Sequence, residues 1–249
     1  MICSWKKDPT SPCSCAYQLR GSLPELLNHL CCLGESTLIL RQQGLSLAKV
    51  TRFGLAVAYG DHGWDLLSDR TSGLETDTRT ERRVYLMTSH PDRRPLICMG
   101  APGAPIDLSI RLEKRLWDSA VVRNLIDCFD GVPLACHESR KLGAGAWLDD
   151  WERPVQQKTS TQPVSEILEW VRGSDWLNIE VTSVGHRGTA NFKPSFIDCS
   201  SSVLRIADRE MRHIVNADAA DPSLQLEYFD GTLMMKKLPP TPLETQGAA

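Results

Sequence analysis

Two kinds of hydrophobic pattern alternate along this chain. Leu23, Leu26, Leu27 and Leu30 fall at helical spacing, and Ser22-Leu23-Pro24-Glu25 ahead of them forms a helix start. Ser stands at the N-cap, Pro sits inside the first turn, Glu lies three residues after the cap, and Gly34 occupies a C-cap position. The period then changes. Ser36 to Arg41 is a short apolar run bounded by Gly34 and Gly44, and Leu45 to Val50 alternates as a half-buried strand does. Leu55 to Tyr59, Trp64 to Leu67 and Arg83 to Met87 are further strands, with a polar, turn-rich stretch from Thr71 to Glu81 between them. The pattern predicts one helix followed by an antiparallel meander.

The middle of the chain is different. Pro91, Pro95, Pro102 and Pro105, with Gly100 and Gly103, mark a loop over about 89–106. Leu112, Leu116, Val122, Leu125, Ile126 and Phe129 then predict helix within 108–129, ended by Gly131-Val132-Pro133. Gly143-Ala144-Gly145 and the stretch from Gln156 to Pro163 are connector. The first pattern then returns: an amphipathic helix at Val164 to Val171, a strand at Leu177 to Val181 and a turn at Gly185-His186-Arg187-Gly188. Strands follow at Phe192 to Ile197, Val203 to Ala207 and Leu224 to Phe229, with an Asp230-Gly231 turn before Leu233-Met234-Met235. Gly44 answers Gly185 at an offset of 141 (185 − 44), and Tyr85 answers Tyr228 at 143 (228 − 85). The expected class is α+β, with two similar helix-plus-antiparallel-meander modules and a helical linker between them. The expected boundaries are an irregular lead-in at 1–21, a first repeat at 22–100, the linker at 101–160, a second repeat at 161–238 and a disordered tail at 239–249.

Composition narrows the setting. Hydrophobic residues at 41% of 249 supply enough apolar surface for a packed core, which excludes a wholly disordered chain. The net charge is −3 with both signs scattered, so nucleic acid is not an expected partner. No apolar run approaches the roughly 20 residues of a membrane helix, and the first residues lack a secretory pattern. Nine cysteines, an odd number with no small-framework spacing, predict reduced and mostly buried thiols and a cytoplasmic location.

Several side-chain groups carry possible chemistry. Cys13, Cys15, His29, Cys31 and Cys32 could form a zinc site, although core cysteine is the commoner role. His62, between Asp61 and Asp65, could be an oriented base or a plain turn histidine. Cys136-His137-Glu138 sets a thiol beside a base, but adjacent residues point apart and cannot act as a dyad alone. His186 and His213 could ligate a metal or haem through neutral imidazole, or be a turn and a strand histidine. Arg187, Arg205, Arg209 and Arg212 could hold carboxylates or form a solvated sheet edge. Walker A, Gly-x-Gly-x-x-Gly, Gly-x-Ser-x-Gly and His-Glu-x-x-His patterns are absent from the sequence.

The stretch from Leu177-Asn178-Ile179-Glu180-Val181 through Gly185-His186-Arg187-Gly188 to Leu226-Glu227-Tyr228-Phe229-Asp230-Gly231 resembles the haemin-degrading and haem-utilisation family. Glu152-Arg153-Pro154-Val155, with the helix around Ile167-Leu168, resembles the start of that family's second repeat. Leu23-Pro24-Glu25-Leu26-Leu27 to Arg83-Val84-Tyr85-Leu86 would then be the first repeat. The resemblance implies two stacked sheets, a cytoplasmic protein and haem carried or degraded. It also implies an iron ligand in the linker, in a pattern like Asp-Val-His-x-Phe. Trp117-Asp118-Ser119-Ala120-Val121-Val122, at the matching place, has no histidine, and His137 is the nearest linker histidine downstream. The expected haem contacts are therefore His213, His186 or His137, with Arg209 and Arg212 near the propionates. A non-enzymatic binding or adaptor protein with a protein partner is the alternative, and no constellation argues for a hydrolase or transferase.

Overall fold

The computed structural model describes residues 10, 12–42, 44–61, 64–79, 81–88, 94–116, 119–139, 142, 169, 171–173, 175–183, 185–200, 203–218, 224–229 and 232–237. In chain order the elements begin with β1 (Pro12–Leu19), α1 (Leu23–Leu30), β2 (Glu35–Gln42), β3 (Leu45–Arg52), β4 (Val57–Asp61), β5 (Trp64–Asp69) and β6 (Leu74–Asp77). Then come β7 (Arg83–Met87), β8 (Leu96–Gly100), β9 (Leu108–Arg111), α2 (Ala120–Cys128) and β10 (Val132–Ala135). The last part holds β11 (Leu177–Ser183), β12 (His186–Phe192), β13 (Phe196–Ser200), β14 (Val203–Ala207), β15 (His213–Asp218), β16 (Leu224–Phe229) and β17 (Thr232–Lys237). The chain is mixed helix and strand, with sheet dominant.

These strands form two sheets. The larger runs β10-β1-β7-β8-β9-β2-β3-β15-β14-β13 and the smaller β16-β17-β11-β12-β6-β5-β4. Each sheet is built from both parts of the chain. The β2–β3 hairpin continues into β15-β14-β13, and the β11–β12 hairpin continues into β6-β5-β4. Gly44 (φ 75°) and Gly185 (φ 77°) turn the two hairpins in the left-handed region that glycine adopts without strain. Both hairpins extend into their new neighbours with matched pairs, Leu45 with Ala217 and His186 with Thr76.

One apolar core joins the two sheets: Leu38, Leu40 and Leu47 of the larger with Leu74, Ile179, Val181 and Phe192 of the smaller. The sheets approach so closely at Gly188 that a Cβ there would lie 2.2 Å from Leu40 Cδ1. Leu26, Leu27 and Leu30 of α1 and Val122 and Leu125 of α2 complete that core. Both helices are capped as their sequences direct, with Ser22 Oγ accepting from Glu25 N and Ser119 Oγ from Val122 N, each at 3.3 Å.

Several expectations from sequence differ from the structure, among them the strand at Phe192 to Ile197, which is interrupted at 193–195 between β12 and β13. Residues 12–19, read as irregular, form β1 between β10 and β7. Leu108–Arg111, read as the start of a helix, is β9, because Leu108 and Ile110 enter the core between β8 and β2. The loop over 89–106 contains β8, and the polar stretch from Thr71 to Glu81 contains β6. The helix at Val164 to Val171 falls almost wholly outside the described residues. So do the connector at 143–163, the Asp230-Gly231 turn, His62 and the tail from 239.

Candidate functional site: a cleft on the outer face of the large sheet

Strand register places the floor of this site. Gln18 pairs with Tyr85 and Tyr85 with Cys98, so these three share the outer face of β1, β7 and β8. Two residues back along β7, Arg83 pairs with Gly100 and joins the same face. A second small core, Ala16, Met87, Leu96 and Cys98, underlies the site and packs against Tyr85, Ile106, Leu134 and Leu142. Burial pushes the Cys98 thiol up to about 12 against the Ser109 hydrogen bond and the Arg41 charge, so it stays protonated.

Two walls rise from that floor. One is the turn from Ala101 to Ile106, which folds tightly over Gly100; a Cβ there would lie 3.0 Å from Pro105 O. The other follows β10 into the helical residues 136–139. Cys136 is buried against Cys15, which fixes this wall to β1. Glu138 Oε2 accepts from Ala135 N at 3.1 Å and secures the first helical turn. His137, next to the buried Cys136, is exposed and faces the cleft, so the two neighbours do point apart. The cleft between the walls measures about 520 Å³, and its polar lining is Gln18, Arg83, Tyr85, His137 and Glu138. That volume lies within the range of small-molecule sites, roughly 300–1,000 Å³.

The other histidines stand elsewhere. His186 is buried between the sheets, with Nδ1 3.1 Å from Thr76 Oγ1 and Nε2 3.4 Å from Asp107 Oδ1. The Asp107 carboxylate also accepts two bonds from Arg82 Nη1, at 2.9 and 3.1 Å. Burial holds His186 below its ordinary pKa, and the Arg82 charge acts the same way against the pull of Asp107. Burial alone would raise Asp107, but its bonds and charge contacts with His186 and Arg82 outweigh it and hold the carboxyl down.

His213 opens β15. Its Nδ1 is 2.8 Å from Asp208 Oδ2, and its ring stacks on Phe192 with centroids 5.4 Å apart. Asp208 Oδ1 accepts from the backbone N–H of Arg212 at 2.8 Å. Burial would raise Asp208, but the His213 and backbone hydrogen bonds hold it down. Arg212 pairs with Glu35 at 3.0 Å, and Arg209 is exposed in the same turn. His213, Arg209 and Arg212 are therefore neighbours, while His137 and His186 belong to separate places. Arg187 pairs with Glu75, and Arg205 lies over the Phe196 ring.

Cys15 faces Cys136, while Cys31 and Cys32, with sulfurs 3.7 Å apart, lie beyond α1, where His29 meets Phe129 edge-on. No group of three or more His, Cys, Asp or Glu that could hold a metal occurs among the described residues. Among those residues no helix is long and apolar enough to cross a membrane. Sequence reasoning missed Arg83, Tyr85 and Gln18. The signal for the first two was present, since residues 83 and 85 of a strand share a face.

No family model and no curated protein matches the sequence. Solved structures do match the fold, among them structures of a haem oxygenase and of a haem-binding protein. One is ChuS, a haem oxygenase of Escherichia coli, at 15% identity and TM-score 0.55, covering 86% of this chain and 76% of that one. A second structure of ChuS, described as a haem-degrading enzyme of Escherichia coli O157:H7, gives 13% and 0.58 over 86% and 74%. Apo-PhuS, a haem-binding protein from Pseudomonas aeruginosa, gives 10% and 0.52 over 83% and 71%. At such identities the likeness is one of fold.

Proposed function

We propose that the protein binds haem in the cleft on the outer face of the large sheet, with His137 as iron ligand and Arg83 as partner of a propionate. The observation that carries this reading is that an exposed imidazole and a guanidinium line one cleft of about 520 Å³ together with apolar Ile106, Leu134 and Leu142. Imidazole nitrogen is an ordinary ligand of haem iron, and a guanidinium forks onto a carboxylate. His137 also lies in the segment between the two hairpin-bearing parts of the chain, where the family resemblance expects a ligand. The fold shared with ChuS and PhuS supports the same reading.

Haem, when bound, supplies a redox-active iron. The chain's contribution is to hold the ring, orient it through Arg83 and shield one face with Tyr85, Leu134 and Leu142. His213, with Arg209 and Arg212 beside it, is the second candidate position. His186 ranks last, because its ring is wholly buried with Thr76 and Asp107 at its nitrogens. The interleaved hairpins and the paired turns at Gly44 and Gly185 support an internal repeat. Cys15, Cys31, Cys32, Cys98, Cys128 and Cys136 carry thiols rather than disulfides, which supports a reducing, cytoplasmic setting.

Titration of the purified protein with haemin, followed by absorption, tests the proposal. A saturable Soret shift at one equivalent is expected. A featureless titration removes haem and leaves a binding or adaptor protein that keeps the fold.

A further inference from the structure

We propose that Cys31 and Cys32 together bind one soft monovalent metal ion, copper(I), at the carbonyl end of α1. The two residues follow Leu30, where α1 ends and a short 3-10 helix, Cys31–Leu33, begins. Both side chains are exposed, and their sulfurs lie 3.7 Å apart. At a metal–sulfur distance of about 2.3 Å, two thiolates on one ion stand at most about 4.6 Å apart. Both sulfurs therefore reach a shared ion from where they stand.

The pair does not close on itself instead. Neighbouring Cα atoms are about 3.8 Å apart across a trans peptide, and an unstrained disulfide needs about 4.4–6.8 Å. The thiols thus stay available as ligands. Two surrounding features favour a cation there. Cys31 is the C-cap of α1, so the ion sits at the end of the helix that carries partial negative charge. The Asp69 charge also reaches this point: desolvation, then Cys32 and Asp69, hold the Cys31 thiol above its ordinary pKa. A bound cation takes the place of the proton that this negative field retains.

The number of donors selects the ion. A closed zinc site takes four ligands, and no group of three or more His, Cys, Asp or Glu that could hold a metal occurs among the described residues. His29, one turn before Cys32, is engaged by the Phe129 ring, with centroids 5.3 Å apart. Calcium and magnesium require oxygen ligands. Thiolates select copper(I), which two sulfurs satisfy. On binding, each thiol gives its proton to solvent, each sulfur forms one bond to copper, and the copper keeps its oxidation state. Uptake therefore strengthens as pH rises. Neither cysteine lines the cleft at His137, so the inference stands apart from haem binding.

The test is an anaerobic titration of the reduced full chain with copper(I) against the chromogenic chelator bicinchoninate, for the wild type, Cys31→Ser, Cys32→Ser and Cys128→Ser. The wild type and Cys128→Ser, which loses a different exposed thiol, are expected to hold one equivalent against the chelator. Cys31→Ser and Cys32→Ser should each weaken retention by at least about tenfold, with unchanged circular dichroism because both side chains are exposed. A wild type that yields all its copper to the chelator overturns the proposal. So does retention by Cys31→Ser or Cys32→Ser equal to that of the wild type, and so does a loss in Cys128→Ser as large as theirs.

Discussion

Lys49 offers a perturbation whose size can be worked out in advance. It sits on β3, its residue only 8% exposed, with Nζ donating to Thr189 O at 2.5 Å across to the smaller sheet. Burial drives its pKa down from 10.5 to about 8, and the Asp69 charge recovers only part of that fall. At 1.36 kcal/mol per pH unit, this corresponds to about 3 kcal/mol of destabilisation whenever the folded protein holds the ammonium. The folded value lies below the unfolded one. Between pH 8 and 10.5 the unfolded chain therefore keeps a proton that the folded chain has shed, so stability rises with pH across that window. Below pH 8 the full cost is present. Lys49→Met removes the charge at similar length and gives up one hydrogen bond, worth about 1 kcal/mol. The variant should be more stable by about 2 kcal/mol at pH 7, with that advantage gone by about pH 10. Urea unfolding of both proteins at several pH values reads the difference directly. An advantage that does not change with pH, or a variant less stable at pH 7, refutes the reasoning.

Two further outcomes follow from the core. His186 is held neutral by burial, so the unfolded chain takes up its proton first and stability should fall as pH drops through 6.5. His186→Gln should cost about 2 kcal/mol and flatten that dependence in thermal melts taken just above and below pH 6.5; an unchanged slope would assign the effect elsewhere. Gly188→Ala forces a methyl to within 2.2 Å of Leu40 Cδ1 and 3.2 Å of Leu47 Cδ2. It should cost about 1–3 kcal/mol in denaturant unfolding, and Leu40→Val in the same chain should restore part of the loss.

How much of this was legible beforehand depends on how local each cause is. The start of α1 was readable because Ser22, Pro24 and Glu25 act within one turn, and Ser22 does cap Glu25 N. The hairpin turns were readable because Gly44 and Gly185 answer a backbone requirement of their own residues. β1 was not, since its alternation is carried by Cys15, Tyr17 and Leu19 among Pro, Ser and Gln, and only β7 and β10 on either side make it a strand. β9 was misread because Leu108, Leu112 and Leu116 also satisfy the helical period, and only β2 and β8 decide the matter. The exchange of β4-β5-β6 and β13-β14-β15 between sheets has no local signature. For the proposed cleft, the sequence offered His137 beside His186 and His213 as a candidate, but none of its surroundings. The cleft depends on a contact between Cys136 and Cys15, about 120 residues apart, and long-range closure of this kind leaves no local pattern.

The most direct test of the central claim is the absorption spectrum of the ferric haemin complex of the wild type beside that of His137→Ala. His137 is exposed, so its truncation leaves the fold and the Cys136 contact in place. The wild type should show the Soret and visible bands of an imidazole-ligated iron, and the variant should lose them while still unfolding at the same temperature. An identical spectrum from both proteins would place the ligand elsewhere, with His213 next in line, and would contradict the cleft as the haem site.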